Sequence, residues 1–455
     1  MRTEQLAPRR DATAIIISSL PWALACVGLL LVSVASALPP GFHVETMVSG
    51  LDNPVAFAFA PDGRVFVNER LTGRIRVVED GVLLPEPLAT VAVSPSGERG
   101  LLGIAIDPDF EHNRYIYVLH SRTPTLQRIT RFTAEGNRGI EGTVIWDGIP
   151  AAVIHNGGNL HFGPDGRLYL SVGDTGRPVL ARRVRALPGK IHRIDPDGSV
   201  PEDNPWPGST AFCIGCRNSF DFTFHPDQVP VVIYAAENGP TRDDEINRVT
   251  AGADCGWPAV TGMAGRRPFT DPIHSWSPTT APVGIVFYRG WNFPLAFDGD
   301  LLVAEYTTGR ILRIDLDEEG ARVLATEVLL EEDYGPLYGL GIAPDGTLWF
   351  STNDALHRVV CDTPPQRFRR GDVDTRSGIN HGDVALLISY VRTGVPIPLC
   401  IAAADINDDA IIDLNDVATL LGFLNGAVAG LAPPYPGCGL DPRTKLPCAG
   451  DPPCE

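Results

Sequence analysis

The sequence predicts an all-β chain, a six-bladed β-propeller over residues 42–360, followed by a small α-helical, EF-hand-like module. Two observations point to the propeller. One hairpin pattern occurs six times, and several copies are followed by a further strand pair. The third observation is a duplicated loop-and-helix after Arg370. The clearest hairpin runs from Leu160 to Val172, where large apolar residues alternate with others around Pro164-Asp165-Gly166. Period-two alternation is the mark of a strand, and Pro and Gly supply the backbone angles of a tight turn.

The other copies follow in order along the chain. Phe57–Val67 and Leu340–Phe350 carry the same Pro-Asp-Gly turn. Looser copies are Gly103–Phe110 running into Tyr115–Val118, Phe222–Asp227 running into Val231–Tyr234, and Gly284–Tyr288 with Asp298–Val303. Follower strands are read at Gly73–Val78 and Gly309–Ile314. A four-stranded unit recurring every ~45–70 residues is a propeller signature, and its uneven long loops are where function is expected.

The ends of the chain bear on location. Residues 1–37 read as a signal peptide: Arg2, Arg9 and Arg10 precede an apolar run from Ala12 to Val34, and Ala35-Ser36-Ala37 fits a cleavage site. The run is also long enough for a membrane anchor. A secreted, periplasmic or cell-surface protein is the expectation. Cys26 lies in the leader and leaves an even number of the nine cysteines in the mature chain. Export and an even count lead to an expectation of disulfides, with the pairing open. Cys213-Ile-Gly-Cys216 has the spacing of a redox or zinc pair, but no second CxxC completes a four-thiolate site. The net charge of −18 argues against a nucleic-acid partner. Lys190 and Lys445 are the chain's two lysines, so its basic residues are almost all Arg.

The C-terminal pattern reads as two calcium loops. Asp372, Asp374, Asn380 and Asp383 precede the apolar run Val384–Val391. Asp405, Asn407, Asp409, Asp413 and Asp416 precede Val417–Leu424. The second set places oxygen side chains at loop positions 1, 3, 5, 9 and 12, the spacing that wraps hard ligands around one ion. In the first loop Arg376 takes the place of a ligand, and Ser377 and Ala410 replace the usual glycines. Residues 371–426 resemble a type I dockerin module. That resemblance implies Ca2+ binding and a cohesin-like protein partner. The tail, 427–455, is rich in Pro, Gly and Cys and is assigned no fold.

His155, followed by Asn156 and two glycines, stands ahead of the Leu160 strand. An imidazole at a strand mouth suits a general base, or equally a loop histidine bonded to a neighbouring carbonyl. Around it in sequence lie Gly97–Phe110, Gly189–Pro205, Cys216-Arg217-Asn218, Glu237–Asn247 and Gly256-Trp257-Pro258. In order, spacing and rare tripeptides these segments resemble the glucose/sorbosone dehydrogenase family, soluble quinoproteins that use pyrroloquinoline quinone (PQQ) and Ca2+. The resemblance implies a sugar substrate, His155 as the base that takes the anomeric proton, and Arg217 as a catalytic and cofactor-stabilising cation. It further implies Asn218 as a cofactor-binding amide and the carbonyls of Gly239 and Pro240 as Ca2+ ligands that also contact the cofactor. Asp243, Asp244 and Glu245 read as support for that loop, or as a solvated acidic turn.

Departures from the family's pattern are specific. Thr307 replaces a lysine, and Pro336 and Tyr338 replace two arginines, that clamp the cofactor carboxylates; Arg310 and Arg242 are candidate substitutes. Ile154 and Glu98 differ from the sugar contacts of glucose-oxidising members, so no particular sugar is assigned. Two other readings stay open: a non-enzymatic propeller that binds carbohydrate or protein and is displayed through the C-terminal module, and a hydrolase or lactonase with a central Ca2+.

Overall fold

The computed structural model describes residues 38–435 except 291, 332, 363–367, 375–377, 396, 397 and 399. The proposed leader, Arg376, Ser377 and Cys438, Cys448 and Cys454 therefore lie outside the described residues. Six antiparallel sheets form the propeller, five of four strands and the first of five. All six sequence hairpins are found as the first two strands of the six blades. They pair Pro54–Phe59 with Val65–Glu69, Leu101–Ile106 with Tyr115–Thr123, and Leu160–Phe162 with Leu168–Val172. In the later blades Ser219–Phe224 pairs with Ile233–Glu237, Pro282–Phe287 with Leu301–Glu305, and Leu340–Ile342 with Leu348–Ser351. The follower strands are present at Arg74–Glu79 and Arg310–Leu316.

Local chemistry explains the hairpins. In the three Pro-Asp-Gly copies the glycine amide donates back across the turn, Gly63 to Ala60, Gly166 to Gly163 and Gly346 to Ala343, at 2.9–3.0 Å. Each of these glycines has φ between +72° and +89°, a region that costs a side-chain-bearing residue about 1–2 kcal/mol. The second strands are rich in Val, Leu, Phe and Tyr and are buried over all or most of their length, because neighbouring blades cover both faces. Leu102, Leu119, Leu160 and Leu170 make one such seam between blades two and three.

First strands of successive blades pack side by side around the ring, so the loops at their ends meet near its axis. The ring closes by exchange: Phe42–Ser49 pairs antiparallel with Ala355–Cys361 and becomes the outer strand of the last blade. Phe42 sets its ring edge-on to Phe293 at 5.0 Å.

After the propeller come helices His381–Thr393, Ile401–Ala404 and Leu414–Leu424. Asn380 and Asp413 cap the two longer ones in capping boxes completed by Asp383 and Asp416. Val384, Leu387, Ile406, Val417 and Leu420 form their shared core. Residues 427–435 are not a loose appendage. Leu431 packs on that core, and Arg370 Nε donates to the Pro433 carbonyl at 2.7 Å.

Candidate functional site

The site is built from loops of blades two, three and four. His155 sits at φ +56°, and its carbonyl accepts the Thr175 amide at 3.1 Å. Gly173 makes this approach possible, since a Cβ there would lie 2.3 Å from the His155 oxygen. The fold thus sets His155 beside the end of the strand Leu168–Val172, where Asp174 follows. His155 Nδ1 is 2.7 Å from Asp174 Oδ1, with the histidine 13% exposed and the aspartate 1%. Asp174 Oδ1 also accepts the Gly176 amide, and Oδ2 accepts the Trp257 indole N–H, both at 2.8 Å. Burial works to raise the Asp174 carboxyl, but the bonds from His155, Trp257 and Gly176 outweigh it and hold the group below its usual range. An ionised partner fixes the proton on Nδ1 and leaves Nε2 as a lone-pair acceptor, with no hydrogen bond among the described residues. The His155 ring is bound to a buried carboxylate rather than to a neighbouring carbonyl.

Arg217 and Asn218 are held by Glu237, at the end of the strand Ile233–Glu237. Its Oε1 accepts both their amides, at 2.9 Å from Arg217, while Oε2 accepts the Ser219 hydroxyl at 2.6 Å. Burial pushes the Glu237 carboxyl well above its ordinary range, against the pull of Ser219 and the Asn218 amide. Arg217 Nη1 donates to the Asn238 carbonyl at 2.7 Å, and the guanidinium lies over the Trp257 ring at 5.6 Å. Its Nε is buried without an acceptor among the described residues. Asn218 is engaged within the chain: Oδ1 accepts the Gly157 amide at 3.1 Å, and Nδ2 faces Glu98 at 3.4 Å. Glu98 in turn accepts the Asn156 amide at 3.2 Å.

Gly239 and Pro240 follow in a tight loop. The Gly239 amide donates to Asp244 Oδ1, and Asp244 Oδ2 accepts the Thr280 and Ala281 amides, all at 2.7 Å. Asp244 therefore supports the loop, as the sequence suggested. Glu245 accepts the Gly262 amide at 2.5 Å, and burial raises its carboxyl to about 7. Arg217, Glu237, Gly239, Pro240, Glu245, Cys255 and Trp257 line one narrow cleft. Trp257 joins this cleft to the His155–Asp174 pair.

The clamp positions lie elsewhere. Thr307 and Pro336 share a second cleft with Glu331 and Asp333, which makes it acidic. Of the two suggested arginines, Arg310 Nε donates to Glu331 at 2.7 Å, and Arg242 is 72% exposed, 3.4 Å from Asp243. Tyr338 bonds Asn53 and Asn353 at 3.0 and 2.8 Å. Arg70, which sequence reading passed over, reaches the same Asn53 and carries positive charge toward Tyr338. Ile154 is 47% exposed.

In the C-terminal loops, carboxylate oxygens of Asp372, Asp374 and Asp383 gather within 4.8 Å. In the second loop Asp405 accepts the Asp409 and Ala410 amides at 3.0 Å, and Asp416 accepts those of Ile406 and Asp413 at 2.7 and 2.8 Å. Asn407 Nδ2 donates to Asp409 at 2.8 Å. Ala410, where glycine was expected, takes φ +66°. Disulfides do not form throughout. Cys213, Cys216, Cys255 and Cys361 are free thiols, while Cys400 is disulfide-bonded.

Sequence reading missed Asp174, Glu237 and Trp257 as functional residues. Glu237 and Trp257 lay inside quoted segments, Glu237–Asn247 and Gly256-Trp257-Pro258, but only the fold shows that Trp257 bonds Asp174 and that Asp174 bonds His155.

Comparison with known proteins places the chain among sugar dehydrogenases. The glucose/sorbosone dehydrogenase family profile matches residues 51–360. Quinoprotein glucose dehydrogenase B of Acinetobacter calcoaceticus is 32% identical over 264 residues, covering 50% of this chain and 55% of that protein. The PQQ-bound aldose sugar dehydrogenase of Streptomyces coelicolor superposes with a TM-score of 0.62 at 31% identity, covering 71% of this chain and 99% of its own. A Thermus thermophilus oxidoreductase described as a glucose dehydrogenase gives 0.64 at 33% identity, covering 70% and 100%. With the profile spanning most of the chain and the same segments forming one site, the protein belongs to the glucose/sorbosone dehydrogenase family.

Proposed function

We propose that the protein is an exported PQQ- and Ca2+-dependent dehydrogenase that oxidises aldose sugars or sugar aldehydes. The observation that carries this is the His155–Asp174 pair, joined through Trp257 to a cleft in which Arg217 Nε lacks an acceptor. A buried cationic donor without a partner fits an anionic, oxygen-rich group such as PQQ. Bound there, PQQ supplies a two-electron acceptor for hydride. Gly239 and Pro240 would offer backbone carbonyls to Ca2+, hard oxygen ligands for a hard cation. His155 Nε2 takes the proton of the sugar hydroxyl, and Asp174 stabilises the imidazolium that results. Glu237 fixes the Arg217–Asn218 turn, so the guanidinium is already aimed when charge develops. The acidic cleft at Thr307 and Pro336 argues for weaker cofactor binding than in members with the full clamp.

The test is titration of the purified protein with PQQ and Ca2+, followed by a sugar panel with a dye acceptor. A saturable absorbance change and sugar-dependent dye reduction are expected. His155→Ala should lower kcat by ~10²–10⁴-fold while leaving the PQQ titration unchanged. If no PQQ-dependent absorbance change occurs at saturation, the enzyme reading falls and a display propeller replaces it.

We further propose that residues 371–426 form a dockerin-like module that binds Ca2+ and docks on a cohesin-like partner. The paired capping boxes and the two acidic loops support it. The second loop, with its fuller ligand set, should bind Ca2+ more tightly than the first, where Arg376 adds positive charge. Calorimetry on the full chain checks this. Asp416→Ala should remove the tighter phase and Asp383→Ala the weaker one, and equal phases would refute the ranking.

A further inference from the structure

Three cysteines from two loops converge behind the Arg217 turn. Cys213 lies in the strand Ala211–Ile214, Cys216 follows Gly215 at φ +77°, and Cys255 opens the loop that carries Trp257. Backbone bonds hold these segments together: Ile214 to Ala253, Cys255 to Ile214 and Trp257 to Gly215, each at 2.9 Å. The sulfurs are buried and lie within 4.8 Å of one another, with Cys213 and Cys216 at 3.8 Å. A disulfide requires ~2.05 Å, and pairing any two would strand the third. In a tetrahedral zinc site with Zn–S of ~2.3 Å, neighbouring sulfurs stand ~3.8 Å apart. The observed separation is that of a coordination edge.

Charge points the same way. Lys190 is fully buried and gives its ammonium hydrogens to the carbonyls of Leu180, Ala181 and Pro188 at 3.1, 3.0 and 2.8 Å. Among the described residues it has no carboxylate partner, and a buried cation without counter-charge is costly. Cys213 and Cys216 are the neighbours that act on it electrostatically. Three thiolates around a divalent cation carry one net negative charge beside the Lys190 ammonium, with the buried Glu237 carboxyl also adjoining Cys213 and Cys216. Around Cu+ the same thiolates would keep two.

We propose that Cys213, Cys216 and Cys255 form a buried trithiolate site for a thiophilic d10 cation, Zn2+ in preference to Cu+, which pins the Arg217 turn to the Trp257 loop. The sequence argument against zinc counted CxxC pairs; the third sulfur comes from a distant loop. Cys255 also lines the Arg217 cleft, but the site is read by bound metal rather than by activity, so it stands or falls apart from the sugar-oxidation reading.

The test uses the full chain, purified with reductant and dialysed against Zn2+ and, separately, Cu+. Elemental analysis should find about one zinc per chain, released by a mercurial thiol reagent, as expected of a thiolate site. That release separates it from zinc held by the acidic loops. Cys255→Ser should lose this zinc, and Cys361→Ser, which removes a thiol outside the cluster, should keep it. Because Cys255→Ser could fail to fold, Co2+ is also bound to the wild-type chain, where thiolate-to-cobalt charge-transfer and tetrahedral d–d bands are expected. Absence of those bands, zinc retained by folded Cys255→Ser, retention of Cu+ in place of zinc, or a disulfide joining two of the three cysteines in protein prepared without reductant would each overturn the proposal.

Discussion

At the scale of single residues, Asp174 is the clearest positioning group. It touches His155 rather than substrate, and its carboxylate decides which imidazole nitrogen is free. Asp174→Asn keeps the shape but offers an amide hydrogen to Nδ1 and so favours the wrong tautomer. We expect kcat to fall by ~10²–10⁴-fold with KM little changed and PQQ binding intact. Activity within twofold of wild type would reduce the pair to packing. His155 stood out in sequence because a histidine shortly ahead of two glycines and a strand is a local pattern. Asp174 was not, because its partnership depends on Gly173 letting two loops touch.

At the scale of elements, the loop from Glu237 to the strand Asp244–Val249 shows how acidic residues divide their work. Asp244 ties backbone amides together, whereas Glu245 is turned inward and burial raises its carboxyl to about 7. The sign follows from linkage. An acid that is harder to ionise when folded holds its proton between its unfolded value near 4.5 and about 7, so its contribution to stability is present below 4.5 and is lost as pH rises through 7. The span corresponds to about 3 kcal/mol. Urea unfolding at pH 5 and pH 8, with EDTA present, should show Glu245→Gln gaining on the wild type at the higher pH. Equal differences at both pH values would mean that Glu245 ionises freely in the folded protein. Sequence placed this acidic run at the site but could not divide it, since three consecutive carboxylates look alike until their burial is known.

At the scale of the whole molecule, stability rests on closing the ring. Phe42 belongs to the strand that completes the last blade, and its ring meets Phe293 and Phe297. Phe42→Ala should cost about 2 kcal/mol, below the 3–5 of a fully buried Phe, by chemical denaturation. Glu45→Ala on the same strand breaks an exposed ion pair with Arg358 and should change stability by about 0.5 kcal/mol or less. Equal losses would show that the strand contributes through charge rather than packing. What the sequence determined by itself was the blade: alternation and Pro-Asp-Gly turns act over a few residues, so they read the same in the chain and in the fold. The tertiary structure decided what meets at the centre. Asp174 reaches His155, Trp257 reaches Asp174, Cys255 reaches the CxxC pair, and the strand at residues 42–49 reaches residues 355–361, because ring closure brings together loops that no local pattern connects.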